Sequence, residues 1–189
     1  MMQGPRGIES WLSRHDPKLY LTKSIVNKYL HLNQRPPLPF ANVEHTRFGI
    51  ACAAVGAIQS CLDASVKYAQ ERRQFKKPIG SFQLIQEKIA EMVVDLESSR
   101  WLAYRLAYLK DKNVSVTKET SIAKYHNMEA LARCARSGVE IHGSYGLSDE
   151  FPVERLYRDC MAPIIYGGTA NVHKLILGRL ELGIDAVSR

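Results

Sequence analysis

Residues 42–71 read NVEHTRFGIACAAVGAIQSCLDASVKYAQE. Phe48, Ala51, Val55, Ile58, Leu62, Val66 and Ala69 recur at steps of three and four. That spacing lines one face of an α-helix and no face of a strand. Asn42 is placed as the N-cap, since its short amide can accept from first-turn N–H groups. A helix this long with one apolar face needs other elements to cover it.

The same period continues toward the C-terminus. KKPIGS, residues 76–81, breaks the first helix at Pro78 and Gly80, and Ser81 is placed as the cap of a second. Its face is Phe82, Ile85, Ile89, Met92, Leu96, Ser99, Leu102, Leu106 and Leu109. KDKNVSVT, residues 110–117, is a polar turn. A third helix carries Ile122, Tyr125, Met128, Ala132, Ala135 and Val139, and HGSYGLSDEFP, residues 142–152, is a loop. A shorter stretch runs from Val153 to Cys160. After IIYGGT, residues 164–169, a last helix carries Val172, Ile176, Leu180 and Ile184. No strand alternation is found from 42 to 189, so the expected fold is all-α, an antiparallel four-helix bundle over 41–189. Residues 1–40 are unpatterned, and Pro36, Pro37 and Pro39 favour an extended connector there.

Composition narrows the function classes. The net charge of +7 divides into +4 on residues 1–40 and +3 on the rest, with basic and acidic residues interspersed. Such scatter argues against nucleic acid as the partner and leaves an anionic small molecule open. The cysteines, Cys52, Cys61, Cys134 and Cys160, form no CxxC pair, so free thiols in a reducing compartment are expected. The histidines show no metal-ligand spacing, and no metal is expected. No apolar run of bilayer-spanning length is read. The first residues lack a signal-peptide pattern, and the expectation is a soluble intracellular protein, cytoplasmic or of the mitochondrial matrix.

Three stretches carry candidate chemistry. YAQERRQFKKPIGSFQ places Arg72 and Arg73 at a helix end, either complementing its dipole or forking onto a phosphate. EIHGSYGLSDEFPVERLYRD bears glycines that serve as a helix cap or let backbone approach a ligand. In IIYGGT, Thr169 is a candidate N-cap and Tyr166, Gly167 and Gly168 a turn or a ligand contact.

Their order is specific. R-x-x-F-x-x-P-I-x-x-F-Q, then H-G-x-x-G-x-x-x-E-F-P-V-E-R-x-x-R-D, then I-Y-G-G-T-x-x-x-x-x-L-I-L-G-R resembles the C-terminal domain of the acyl-CoA dehydrogenase family. The resemblance is strongest to its medium-chain and glutaryl branches and covers residues 42 to 185. It implies an FAD-dependent flavoprotein that removes hydrogens from the α and β carbons of an acyl-CoA or acyl-carrier thioester. The C-terminal bundle would be the core of a homodimer or homotetramer, with FAD across a subunit boundary.

Matched by motif, Arg72 would hold the FAD diphosphate with Phe75 beside it, and Phe82 and Gln83 would meet the nucleotide. Glu140, Ile141, His142, Gly143 and Ser144 would lie on the loop wrapping a neighbouring subunit's FAD, although the family often has glycine where Ser144 stands. Thr169 and Asn171 would also bond the cofactor. Arg47, Tyr166 and Gly168 would border the acyl pocket.

One departure concerns the reaction itself. Many members carry glutamate at the position of Gly167, and that carboxylate takes the α-proton. The isovaleryl and long-chain types carry it instead at the position of Thr46. Neither residue here is acidic. Glu44 is the remaining substitute, placed on the first turn of its helix and about 200° around the axis from Thr46; His45 lies about 100° away. Forty N-terminal residues are too few for the family's first helical domain and β-domain. The resemblance therefore implies a fragment or truncated product, one subunit of a split enzyme whose partner chain supplies them, or an inactive bundle serving as an oligomerisation or binding module.

Overall fold

The computed structural model describes residues 39–186, with side chains from Val43. Of the segment read as unpatterned, 1–40, residues 1–38 lie outside the described residues, and 39–40 open the first helix. Five helices follow: α1 Pro39–Glu71, α2 Gln83–Asp111, α3 Thr117–His142, α4 Pro152–Ile165 and α5 Ala170–Leu182. The fold is all-α as expected, but the bundle is three long helices with two shorter ones.

The first helix begins at Pro39, so Asn42 is inside it and is not its cap. Proline is tolerated in a first turn, where its missing N–H would have no helical partner anyway. Phe48, Ala51, Val55, Ile58, Leu62 and Ala69 are buried as their spacing required. One correction concerns length and polarity. Val43–Glu71 is long and apolar enough to cross a membrane by composition, with a mean hydropathy of 1.4 in its most apolar window. Here α2, α3 and α4 pack on it, and it is the core helix of the bundle.

Beyond Glu71 the chain makes a small hairpin that the sequence reading did not contain. β1 Arg73–Gln74 pairs antiparallel with β2 Lys77–Pro78, in the register Arg73 to Pro78 and Gln74 to Lys77. Phe75 and Lys76 form its two-residue turn with φ of 51° and 68°, as tight hairpins of this hand require. Two-residue strands are too short to leave any alternation. Both arginines thus follow the helix rather than close it.

Ser81 does not cap α2. Its Oγ donates back to the Pro78 carbonyl at 2.8 Å, and extended Phe82 occupies the cap position without a side-chain bond. Thr169 does cap α5, accepting from the Val172 amide.

The third helix touches all four others, which changes what its surface needs. Met128 and Ala135 are buried, but Ile122, Tyr125, Ala132 and Val139 are only partly covered. Ser121, Lys124, Asn127, Cys134, Ile141 and His142 are buried instead. A helix surrounded by neighbours has no single apolar stripe, and its inward polar groups must find partners. Asn127 does so by donating to the Ala51 carbonyl of α1 at 3.0 Å and the Ser99 carbonyl of α2 at 3.1 Å.

The last helix reverses expectation. Val172, Leu180 and Ile184 of its expected stripe are exposed, and among its residues only His173 is buried. Among the described residues, Val172, Leu180 and Ile184 of this stripe stay uncovered, while Ile176 is partly covered. All four cysteines are free and buried. Burial pushes the Cys52 and Cys61 thiols up to about 12 and raises those of Cys134 and Cys160, so they are inert as nucleophiles near neutral pH.

Candidate functional site

The candidate residues gather at two places. Arg47 stands near the start of α1 and Arg72 just past its end. Twenty-five residues of helix separate the two groups by roughly 37 Å at 1.5 Å per residue.

The first group surrounds the turn between α4 and α5. Gly167 and Gly168 have φ of 70° and 101°, a backbone that side-chain-bearing residues rarely adopt. Two cations hold it. Arg47 Nε donates to the Gly167 carbonyl at 2.7 Å, and Lys124 Nζ to the Gly168 carbonyl at 2.6 Å, with the Ile164 carbonyl at 3.4 Å.

Lys124 is 1% exposed. Burial pushes its ammonium down to about 8, with Arg47 adding to the effect and Glu129 opposing it. His173, 0% exposed, completes the group. Burial pushes its imidazole down to about 4, helped by Arg47 and Lys124 and opposed by the Gly167 and Gly168 peptides. Those peptides lie close enough to act on its charge, yet neither ring nitrogen has hydrogen-bond geometry to a partner.

The turn itself, IIYGGT, contains no carboxylate. A Cβ on Gly167 would lie 2.7 Å from Ile50 Cδ1, with Arg47 Cγ at 3.9 Å and Lys124 Cε at 4.0 Å. Glu44 is not on the first turn of α1, and its carboxylate accepts from Thr117 Oγ1 at 2.5 Å. Thr46 and His45 are exposed, and burial and Lys110 lower the His45 pKa, against Glu44. Tyr166, half-exposed, borders a cleft of about 260 Å³ with Ile50, Ala53, Ala57, Leu156 and Pro163. This cleft is nearly all apolar and opens beside the turn.

The second group joins the hairpin to the loop after α3. The Arg72 guanidinium lies over the Tyr145 ring at 5.6 Å. Phe75 meets Phe82 edge-on, with centroids 6.0 Å apart, yet is 87% exposed. A phenylalanine held at positive φ and left in solvent does nothing for this chain's own core. Gln83, Gly143 and Ser144 are exposed, and around Gly143 (φ 62°) no atom lies within 4 Å of where a Cβ would be. Gly146 anchors the same loop, because a Cβ there would meet the Val139 carbonyl oxygen at 2.5 Å. Bare backbone, an arginine and two aromatics on one surface suit an anion joined to a flat ring system.

Three residues expected in that group do not offer side chains to a ligand. Ile141 belongs to the core. His142 is buried, bonded to the Gly138 carbonyl at 2.8 Å and stacked on Tyr68 at 4.2 Å between centroids. Glu140 is paired with Lys88 at 2.5 Å and Arg136 at 2.9 Å, and the bonds from these two residues lower its pKa. What these three can present is the backbone path of the loop. Among the described residues, no cluster of metal-ligating groups occurs.

Residues 39–182 match the family model described as the acyl-CoA dehydrogenase C-terminal domain. The chain belongs to the acyl-CoA dehydrogenase family. It is 43% identical over 151 residues to a glutaryl-CoA dehydrogenase of Desulfococcus multivorans, covering 79% of this chain and 39% of that protein. It superposes on a glutaryl-CoA dehydrogenase solved with glutaryl-CoA, with a TM-score of 0.75, 43% identity, and coverage of 79% and 38%. A glutaryl-CoA dehydrogenase of Mycobacterium smegmatis in complex with FADH2 gives a TM-score of 0.77 at 31% identity, over 79% of this chain and 39% of that one. The chain thus spans about two fifths of the length of these acyl-CoA dehydrogenases.

Two residues packed against the turn escaped the sequence reading. Lys124 falls off the apolar stripe assigned to α3, and His173 is a lone histidine one turn beyond the cap. A lysine between Ala123 and Tyr125 is a signal only once all four helices packed on α3 are known.

Proposed function

We propose that this chain is the FAD-contacting, oligomer-forming part of an acyl-CoA dehydrogenase-type flavoprotein acting on an acyl thioester. The observation that carries it is the set Arg72, Phe75, Gln83 and Gly143 at the hairpin and the loop after α3, with Phe75, Gln83 and Gly143 exposed and Arg72 stacked on Tyr145. Arg72 and the bare amides near Gly143 and Ser144 hold the diphosphate, while Phe75 and Phe82 pack beside the nucleotide. Thr169 and Asn171, exposed at the start of α5, contact a cofactor at the other end. Roughly 37 Å of helix between the two groups is too far for one dinucleotide to touch both. Each subunit therefore serves two cofactors, which requires a homodimer or homotetramer. The uncovered stripe of α5 supports that assembly.

Bound flavin supplies hydride acceptance; this chain holds and orients. Arg47 and Lys124 fix the turn, and the apolar cleft beside Tyr166 takes hydrocarbon. Gly167 leaves the usual base position empty, so α,β-dehydrogenation needs the further parts that the relatives possess, from a partner chain or otherwise, and a base among them. A second reading is favoured by the turn's contacts, in which Arg47 and Lys124 bond its carbonyls and Gly167 carries no side chain: a bundle that has kept assembly and binding but not proton abstraction.

The test is a titration of the purified chain with FAD, read by flavin fluorescence and by light scattering. Saturable quenching by a dimer or tetramer, weakened by Arg72→Ala, is expected. A monomer that leaves FAD fluorescence unchanged overturns the proposal. Bleaching of the loaded protein by acyl-CoAs under anaerobic conditions then separates the active from the inactive reading.

A further inference from the structure

We propose that the outer face of α2 pairs with the same face of a second copy, antiparallel, about a two-fold axis beside Ser98. Val94, Trp101 and Tyr108 stand seven residues apart on that helix and are 64%, 69% and 62% exposed. A seven-residue step returns to nearly the same side of a helix, so the three form one apolar stripe outside the bundle. The core lies behind it, on Met92, Leu96, Ala103 and Leu106. Aromatic rings gathered on the wet side of a helix mark an interaction surface rather than a need of the fold.

The two unlike halves of the face decide what covers it. Before Ser98 it exposes short or acidic side chains: Glu87, Ala90, Glu91 and Val94. After Ser98 it exposes bulky or basic ones: Trp101, Arg105, Tyr108 and, at the helix end, Lys112. An antiparallel copy sets each half against its opposite. Trp101 then meets the second copy's Val94, and Tyr108 its Ala90, each ring filling the space over a shorter side chain. Arg105 faces the second copy's Glu91, and Lys112 its Glu87. All four pairs are centred near Ser98, so one axis satisfies them together. A parallel copy would set each of these acids and bases against its own kind.

Contacts within the chain leave the face available. Glu97, close to the axis, is tied to Arg100, which offsets the acid that would otherwise meet itself. Arg105 reaches Glu119 only at 3.9 Å, and Lys112 lies over Tyr108 at 5.4 Å. The rim charges choose the orientation, and the rings supply the contact. The pairing stands on this geometry. That it is one contact of a flavoprotein oligomer rests on the reading above.

Cross-linking of the full chain tests the axis. The native cysteines are buried, so an added one reports alone. Ser98→Cys, oxidised with copper phenanthroline, should give a covalent dimer. Glu87→Cys, about 16 Å along α2 from the axis, should not. A Ser98→Cys chain that stays uncross-linked, or cross-linking by Glu87→Cys instead, overturns the pairing.

Sedimentation tests the contacts. Trp101→Lys, checked for native fold by circular dichroism, should weaken self-association at least about tenfold. Glu91→Arg and Arg105→Glu should each weaken it, and both together in one chain should recover it. These two positions are fourteen residues apart on one helix, about 21 Å, so only a second copy can bring them together. Association unchanged in Trp101→Lys overturns the proposal and leaves any oligomer to α5. A monomeric wild-type chain overturns it as well. Flavin titration is read separately. A cross-linked dimer that ignores FAD keeps this face and removes the flavoprotein reading, and flavin binding without the cross-link does the reverse.

Discussion

Arg47 on α1 bonds the Gly167 carbonyl at 2.7 Å across 120 positions of sequence. Together with Lys124 on the next carbonyl, it holds a turn that two positive-φ glycines would otherwise leave loose. The turn's shape is therefore imposed by α1 and α3 rather than by its own residues.

Replacing Arg47 by Gln should free the turn without unfolding the bundle. Amide exchange at residues 167–172 should quicken by about tenfold, the loss of one charged hydrogen bond, with the centres of α1 and α3 unchanged. Hydrogen-exchange mass spectrometry reads both. Equal acceleration everywhere would show that Arg47 supports the whole fold instead.

Restoring a carboxylate should be costly on its own. Gly167→Glu meets φ 70° and Ile50 Cδ1, so a loss of about 1–3 kcal/mol is expected. Ile50→Val removes the opposing atom and should recover part of it, a coupling that a double-mutant cycle in urea measures. Strict additivity of the two changes would mean that Ile50 does not limit this position.

Acid should weaken the fold through His173. Its folded-state pKa is about 4, below the ordinary 6.5. The unfolded chain therefore takes up a proton that the native one refuses between those values. Stability is undiminished above about pH 6.5 and falls as pH drops toward 4, by on the order of 3 kcal/mol at most. Urea midpoints at pH 7 and pH 5 should converge in His173→Gln relative to wild type. An unchanged gap would remove His173 as the cause.

Asn127→Ala should cost about 2–3 kcal/mol, since it breaks two buried bonds and leaves a void where α1, α2 and α3 meet. Asn127→Asp should be worse, because its carboxylate would face the Ala51 and Ser99 carbonyls. Thermal or urea unfolding decides the order, and an aspartate variant as stable as wild type would refute it.

Much of the fold was legible because helices declare themselves locally. The stripe from Phe48 to Ala69 and the breaks at Pro78, Lys112 and Gly168 need only the 3.6-residue period and turn chemistry. Caps were less legible. Ser81 has the right side chain, yet its hydroxyl donates back to the Pro78 carbonyl instead of accepting from a first-turn N–H, a choice the sequence cannot weigh. For α3 and α5 the period misled, since it reports a single apolar face and neither helix packs by one.

The sequence by itself determined that this chain is helical, where its helices break, and which ordered motifs mark it as one of the acyl-CoA dehydrogenases. Only the tertiary structure decided that Lys124 and His173 meet Arg47 at the Gly167–Gly168 turn, and that Glu44 does not. Periodicity records which side of a helix avoids water. The partner of a buried cation or imidazole is a carbonyl on another element, and folding alone brings the two together.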